Sequence, residues 1–340
     1  MEQHIGVDTG SNVKEDSKLL EINNLVVQYI TDDGIVEAVN GISLTLGRGQ
    51  TLGLVGETGA GKTTTALSIL RILPHPPAKV VDGEIYFSGE DLLKKTEKQM
   101  RKIRGNDINM IFQDPMTSLN PVMTVGQQIM EVVLLHNNVS KQEASRRAQE
   151  MLELVGIQGT RHHEYPHQFS GGMKQRVMIA IALSCNPQLL IADEPTTALD
   201  VTIQAQVLEL MNDLKSKFNT SLLLITHDLG VVAETCDHVA IMYAGEIVEK
   251  GSVKEVFENT CHPYTQGLFN AIPNIYEDTD RLQTIYGMIA DPTNLPNGCK
   301  FHPRCPKAQS QCQNVHPAGI EVTPGHVVHC LLYGKAGEEV

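Results

Sequence analysis

Nowhere does the chain carry a run of about 18 uninterrupted apolar residues, the length a membrane-crossing helix needs. Its best apolar stretches, Val177–Leu183 and Leu222–Ile225, are sized for a core. Contact with a membrane is therefore expected only through a partner. The opening stretch, Met1 to Lys18, lacks the apolar segment of a signal peptide and reads as a loose polar tail, so the expected compartment is the cytosol. Basic charge is scarce as well: 27 Lys and Arg against 40 Asp and Glu leave a formal charge of −13. That balance argues against a broad nucleic-acid surface, and no nucleic-acid partner is expected. Internal repeats and long low-complexity tracts are absent too. The 340 residues suffice for one large domain with an appendage, or for two domains.

Cysteine is missing from the first half. Cys185, Cys236 and Cys261 are scattered and read as small apolar residues, whereas Cys299, Cys305, Cys312 and Cys330 crowd together near the end. In a reducing cytosol such a cluster points to a metal site rather than to disulfides. The stretch around it is rich in proline and poor in apolar residues, so a bound metal would supply much of its folding free energy. Four thiolates suit a tetrahedral zinc or an iron–sulfur cluster. No Cys-x2-Cys knuckle is present, which disfavours a standard zinc ribbon, and His262, His302 and His329 are alternative ligands.

Along the chain, residues 19–46 read as β-rich, with strands expected over Ile22–Ile30, Ile35–Val39 and Ile42–Leu46 and a turn at Asp32-Asp33-Gly34. Thr51–Val55 reads as a strand and Thr64–Leu73 as a helix, ended by Pro74–Pro77. Glu84–Ser88 and Asn109–Phe112 are expected strands, and Asp114–Pro121 a loop. Val125–His136 and Lys141–Val155 are expected helices, the second capped by Ser140. Helix is expected from Gly171 to Cys185 and over Val201–Phe218, with buried strands at Leu189–Ala192 and Ser221–Thr226. Val239–Tyr243 and Glu246–Glu249 suggest a terminal hairpin around Ala244-Gly245. Beyond Gly251 periodicity fades, which predicts a separate appendage.

Between the strand Thr51–Val55 and the helix that follows lies Gly56-Glu57-Thr58-Gly59-Ala60-Gly61-Lys62-Thr63, which fits G-x-x-x-x-G-K-[ST] in the context that pattern requires. Its glycines let backbone N–H groups close around phosphate oxygens, and the helix start adds partial positive charge. Lys62 is expected to reach the outer phosphates and the Thr63 hydroxyl to hold Mg²⁺. The expected nucleotide contacts here are Gly56, Thr58, Gly59, Ala60, Gly61, Lys62, Thr63 and Thr64, with a nucleoside triphosphate as ligand. Ser170-Gly171-Gly172-Met173-Lys174-Gln175 opens a helix with a hydroxyl and two glycines, exposing donors to an anion. An apolar strand ends in Asp193-Glu194. Asp193 is expected to hold Mg²⁺ near the γ-phosphate, and Glu194 to polarise the attacking water as general base. His227 follows another apolar strand, Leu222–Ile225, which would aim it at the same phosphate.

This ordered set resembles the ATP-binding-cassette (ABC) ATPase family over roughly residues 19 to 251. The resemblance implies an α/β fold: a P-loop NTPase ABC cassette with a RecA-like core, an antiparallel β subdomain and an inserted helical subdomain at about 114–187. The cassette would span 19–260, after a flexible tail at 1–18. It further implies that Ser170, Gly171, Gly172 and Gln175 belong to the signature motif, which contacts the γ-phosphate of ATP held by the opposite subunit. Phe169 stands where leucine is commoner in the family, a conservative change. Gln113 matches the Q-loop glutamine, a Mg²⁺ and water contact that links to the membrane partner. Ala198-Leu199-Asp200 matches the D-loop, His227 the switch histidine, and Tyr29 the aromatic that stacks on adenine. Two such domains would clasp ATP head to tail and separate on hydrolysis, with Lys62, Glu194 and His227 as the catalytic set.

Three further stretches narrow the resemblance: Phe112-Gln113-Asp114-Pro115-Met116-Thr117-Ser118-Leu119-Asn120-Pro121, Cys261-His262-Pro263-Tyr264-Thr265-Gln266-Gly267-Leu268 and Gly298-Cys299-Lys300-Phe301-His302-Pro303-Arg304-Cys305-Pro306. With them the chain looks like the ATPases of the oligopeptide/dipeptide (peptide/nickel) importer family, with their small Cys-rich C-terminal extension at 261–340. Some members carry a [4Fe–4S] cluster on four such cysteines, which favours that cluster over Zn²⁺ here. The resemblance implies an ATPase at the cytoplasmic face of the cell membrane, coupled to uptake of di- or oligopeptides. Its partners would be two integral-membrane permease subunits, a second, related ATPase subunit and an extracellular substrate-binding protein. Nickel chelates, glutathione or another small solute are alternative cargoes. A soluble ABC ATPase acting on DNA or ribosomes is the rival reading, disfavoured by acidic charge and by the lack of a long coiled-coil insertion or a second cassette. A cluster that senses redox state would add to the transport reading rather than replace it.

Overall fold

The structure is a computed structural model and describes residues 18–114, 118–197, 200–271 and 284–334. Expectations for the 1–18 tail at 1–17, for Pro115–Thr117 of the Gln113 loop and for Ala198 and Leu199 of the D-loop fall outside these residues.

Two sheets organise the chain. The smaller is antiparallel, in the order β2-β1-β4-β5, from β1 (Lys18–Thr31), β2 (Gly34–Gly47), β4 (Ala78–Phe87) and β5 (Glu90–Asp91). The segments expected as two strands after the turn form the single strand β2, because register shifts in the β1–β2 ladder absorb the break in alternation. At the shift between Ile22 and Leu25, Asn24 adopts a φ of 48° and its N–H is taken up by the Ser43 hydroxyl.

The larger sheet runs, in order, β11 (Ile320–Thr323), β12 (His326–Val328), β10 (Glu246–Ser252), β9, β3, β8, β7 and β6. Its parallel centre comprises β3 (Thr51–Val55), β6 (Ile108–Ile111), β7 (Leu189–Asp193), β8 (Ser221–Thr226) and β9 (His238–Tyr243). Strands β3, β7 and β8 are buried at every position, the mark of a sheet covered on both faces. Burying each Leu or Ile there is worth about 1.5–3 kcal/mol relative to exposure.

One face carries the helix Lys62–Leu70, which begins two residues earlier than the pattern implied and ends where Arg71 turns left-handed. A second core joins Ile111, Leu190 and Leu222 to the inserted helices Val125–His136, Lys141–Leu154 and Gly171–Leu183. Their starts obey capping chemistry: Thr124 and Gln127 form a reciprocal capping box, and Ser140 accepts the Glu143 N–H.

The expected separate appendage is tied into the fold instead. β10 (Glu246–Ser252) pairs with β9 and with β12 (His326–Val328), and β12 pairs with β11 (Ile320–Thr323), so the C-terminal residues extend the central sheet. Tyr264 and Phe301 are fully buried against Tyr243. Composition hid this, because proline-rich chain can still add short strands to an open sheet edge.

Candidate functional site

Register in the parallel sheet builds the site. Val55, the last residue of β3, pairs with Thr226 at the end of β8, and Ile225 pairs with Asp193 at the end of β7. Ile111 pairs with Ala192, so Gln113 emerges two residues beyond the end of β6. The phosphate loop, Asp193-Glu194, His227 and Gln113 thereby open from the same edge, the carboxyl ends of parallel strands where ligands bind in open α/β sheets.

The loop's geometry depends on glycine at two positions. A Cβ on Gly56 would sit 2.2 Å from the Met242 carbonyl oxygen. Gly61 has φ +99°, and its Cβ would lie 2.3 Å from the Ala38 carbonyl. Lys62 is buried, and its Nζ donates to the Gly56 carbonyl at 2.7 Å and the Glu57 carbonyl at 3.0 Å. Burial lowers its pKa, against the opposing pull of Glu194, Asp193 and Glu57.

Asp193 is 2% exposed, and one carboxylate oxygen, Oδ1, has no hydrogen-bond partner. Burial raises its pKa, while a hydrogen bond with the Thr63 side chain opposes the rise. A buried carboxylate oxygen left free beside a threonine hydroxyl fits a Mg²⁺ site.

Glu194 follows at φ 46°, a region that non-glycine residues rarely enter and that is concentrated at functional sites. Its N–H holds the Ile225 carbonyl at 2.8 Å. Three side chains ring its carboxylate: Gln113 Nε2 at 3.0 Å, the Thr197 hydroxyl at 2.9 Å and His227 Nδ1 at 3.3 Å. Thr197 was not singled out from sequence, although it lies only three residues on.

A cavity of about 300 Å³ is lined by Tyr29, Thr58, Gly59, Gly61, Lys62, Thr63, Thr64, Gln113 and Glu194, with Val36, Ala38 and Pro292. Tyr29 reaches it from β1, its hydroxyl 3.2 Å from Thr64 Oγ1. Pro292 enters from the C-terminal region and had no local signal.

Ser170, Gly171, Gly172, Gln175 and Asp200 do not line this cavity. Ser170 caps the Gly171–Leu183 helix by accepting the Met173 N–H. Gly172 admits the Ile203 side chain, whose Cγ2 would lie 2.6 Å from an added Cβ. Gln175 is buried, with Nε2 unpartnered. Asp200 caps the Val201–Phe218 helix without a side-chain hydrogen bond.

The four clustered cysteines are half-buried or buried and free. Burial pushes the Cys299 thiol up to about 11, helped by the negative potential of Cys312, Cys330 and Cys305. Burial likewise raises Cys305 and Cys330, with Cys312 adding to both. Among the described residues, the only three His, Cys, Asp or Glu ligand atoms within 4.8 Å of one another belong to Glu249, Cys261 and His326. No three cysteine sulfurs are that close, whereas tetrahedral zinc would hold them about 3.8 Å apart. Cys261 thus has a setting its isolation in sequence did not reveal. The Glu249 carboxylate accepts the Cys261 N–H at 2.7 Å, the His262 N–H at 3.0 Å and His326 Nε2 at 2.9 Å, a hydrogen-bonded hub between β10 and the C-terminal region. His262 and His302 are engaged elsewhere: His262 Nδ1 accepts the Tyr264 N–H at 3.0 Å, and His302 Nδ1 donates to the Cys299 carbonyl at 2.9 Å.

The family model described as ABC transporter matches residues 39–197, and that described as oligopeptide/dipeptide transporter, C-terminal region, matches residues 248–312. The chain is 53% identical to the oligopeptide transport ATP-binding protein AppD of Bacillus subtilis, over 95% of this chain and 99% of that one. Identity to the dipeptide transport ATP-binding protein DppD of Bacillus subtilis is 49%, covering 94% and 96% of the two chains. Among solved structures, the dimeric ATP-binding cassette MJ0796 in a post-hydrolysis state bound to ADP and Pi superposes with a TM-score of 0.63 at 25% identity, over 69% of this chain and 99% of that one. The described residues contain no helix long and apolar enough to cross a membrane.

Proposed function

Because the chain belongs to the ATP-binding subunits of oligopeptide and dipeptide ABC transporters, we propose that it is the ATP-hydrolysing motor that powers uptake of di- or oligopeptides through separate permease subunits. The observation that carries the reading is the convergence of Gln113, Asp193, Glu194 and His227 on the cavity edge beside Lys62. Glu194, held from three sides, is the general base that takes a proton from the attacking water. His227 steadies that carboxylate and faces the γ-phosphate. Lys62 leaves its two loop carbonyls for the outer phosphates when ATP enters, and Tyr29 offers its ring to the adenine. Thr63 and Asp193 would hold Mg²⁺, with Gln113 as a further contact. When bound, the ion supplies neutralisation of charge developing on the phosphates.

The signature residues lie away from their own chain's cavity, which supports a composite site: Ser170, Gly171, Gly172, Gln175 and Asp200 would serve the nucleotide of a second, related ATPase subunit. A solved relative described as dimeric favours the same assembly. Two integral-membrane permeases and an extracellular substrate-binding protein complete the machine, which places this subunit at the cytoplasmic face of the membrane. For Cys299, Cys305, Cys312 and Cys330 the reading is a [4Fe–4S] cluster. Four cysteines gathered in one short stretch supply the four thiolates such a cluster takes once the metal displaces their protons. Their sulfurs are spread wider than mononuclear zinc requires.

The test is transport in vesicles carrying the permeases, both ATPase subunits and the binding protein. ATP-dependent accumulation of labelled peptide is expected. ATP hydrolysis with no peptide uptake, but uptake of a nickel chelate or glutathione, would overturn the cargo and leave the motor standing.

A further inference from the structure

Glu57 stands inside the phosphate loop, an awkward place for a carboxylate. Its neighbours Gly56, Lys62 and Thr63 are arranged for a polyanion, and a negative charge close by repels phosphate unless something offsets it. The offset comes from far along the chain. Arg304 grips Glu57 with both arms of its guanidinium, Nη1 to Oε2 at 2.7 Å and Nη2 to Oε1 at 3.1 Å. The pair is sheltered, with 5% of the Arg304 side chain and 24% of the Glu57 side chain exposed, so solvent screens it little. Arg304 is itself held, by its Nε donating to the Tyr286 carbonyl at 3.2 Å and by lying over the Tyr243 ring at 5.7 Å.

The main chain of Glu57 is gripped from the same side. Its N–H donates to the hydroxyl of Tyr264 at 3.0 Å, and Tyr264 is completely buried, its ring 4.8 Å from that of Tyr243. The Glu57 carbonyl accepts Lys62 Nζ. Every polar group of this residue is therefore engaged, two of them by the C-terminal region. That region reaches the far wall of the cavity as well, where the Pro292 carbonyl accepts the Glu37 N–H at 2.8 Å and Pro292 joins the lining.

We propose that Arg304 and Tyr264 are positioning residues for the phosphate loop, acting through Glu57, and that Arg304 keeps the Glu57 carboxylate from opposing the phosphates of ATP. The C-terminal extension is then part of the nucleotide site rather than an attachment to it. The proposal rests on the reading of Gly56–Thr63 as an ATP cradle and names a requirement of that cradle no loop pattern contains.

Titration of the full-length chain with a fluorescent ATP analogue tests it, alongside the thermal midpoint without nucleotide. Arg304→Gln leaves a carboxylate unpaired and is expected to weaken binding roughly tenfold. Arg304→Lys, which restores charge without the fork, recovers part of the loss. Adding Glu57→Gln to Arg304→Gln removes the stranded charge and recovers most of it, an outcome that a merely structural role for Arg304 does not produce. Unchanged affinity in Arg304→Gln overturns the proposal, as does a double variant that binds as weakly as Arg304→Gln. If the unsubstituted chain fails to bind the analogue, the ATP cradle itself is wrong and the proposal falls with it.

Discussion

Gln113 donates its side-chain amide to Glu194 across 3.0 Å, linking two residues 81 positions apart. One follows β6 and the other β7, adjacent parallel strands, so sheet register sets the distance.

Glu194→Gln keeps the side chain's shape but removes the carboxylate proposed as the base. ATP binding should persist, while turnover in the reconstituted complex falls about 10²–10⁴-fold. Phosphate release and nucleotide trapping, measured on the same preparation, check both halves. Hydrolysis near the unsubstituted rate would remove Glu194 from its role.

Lys62→Ala deletes the buried ammonium that the loop carbonyls hold in place. Labelled ATP should be trapped about a hundredfold less tightly. Retention of full affinity would sink the cradle assignment.

Gly56→Ala forces a methyl against the Met242 carbonyl. Overpacking of this kind costs about 1–3 kcal/mol, so a lower thermal midpoint and weak nucleotide binding are expected together. Gly59→Ala is the contrast: nothing lies within 4 Å of its added Cβ, and only its φ of +83° opposes the change. It should lower the midpoint less.

Burial, aided by His329, drives the His262 pKa down to about 3. The unfolded chain takes up that proton from about pH 6.5 downward, whereas the folded chain refuses it until about pH 3. Stability should therefore fall as pH drops through that window, by up to about 1.4 kcal/mol per unit from this residue alone, with no contribution above it. His262→Asn, which keeps an acceptor for the Tyr264 N–H, should flatten the difference in urea midpoint between pH 7 and pH 5. An equally steep variant would exclude His262 as a source of the slope.

The cysteine reading predicts a brown, anaerobically purified protein with about four iron and four sulfide per chain. Cys312→Ser should lose the colour and lower the thermal midpoint, since a bound cluster would contribute folding free energy. A colourless protein with one zinc per chain would replace the cluster with that ion.

Local chemistry made several elements legible before any coordinates. Val125–His136, Val201–Phe218 and Ser221–Thr226 run as their periodicity and caps imply. The phosphate loop was legible because its function demands fixed residue types at fixed spacing along one turn. Its neighbours Asp193, Glu194 and His227 were readable as acids or bases at the ends of apolar strands. The helix after the loop was placed two residues late because Lys62 and Thr63 complete the phosphate-loop pattern, although they also form the first turn of the helix.

What the chain alone determined, then, is the set of chemical groups and the strand or helix that carries each, because both are written in short-range pattern. The tertiary structure decided which groups meet. Thr197 joins the ring around Glu194, Pro292 closes a cavity wall, and Glu249 gathers Cys261, His262 and His326 into one hub. Arg304 reaches Glu57 across 247 positions. Such contacts arise from strand order and register in the eight-stranded sheet, which bring distant segments together by burying apolar faces and leave no mark on the residues that flank each partner in the chain.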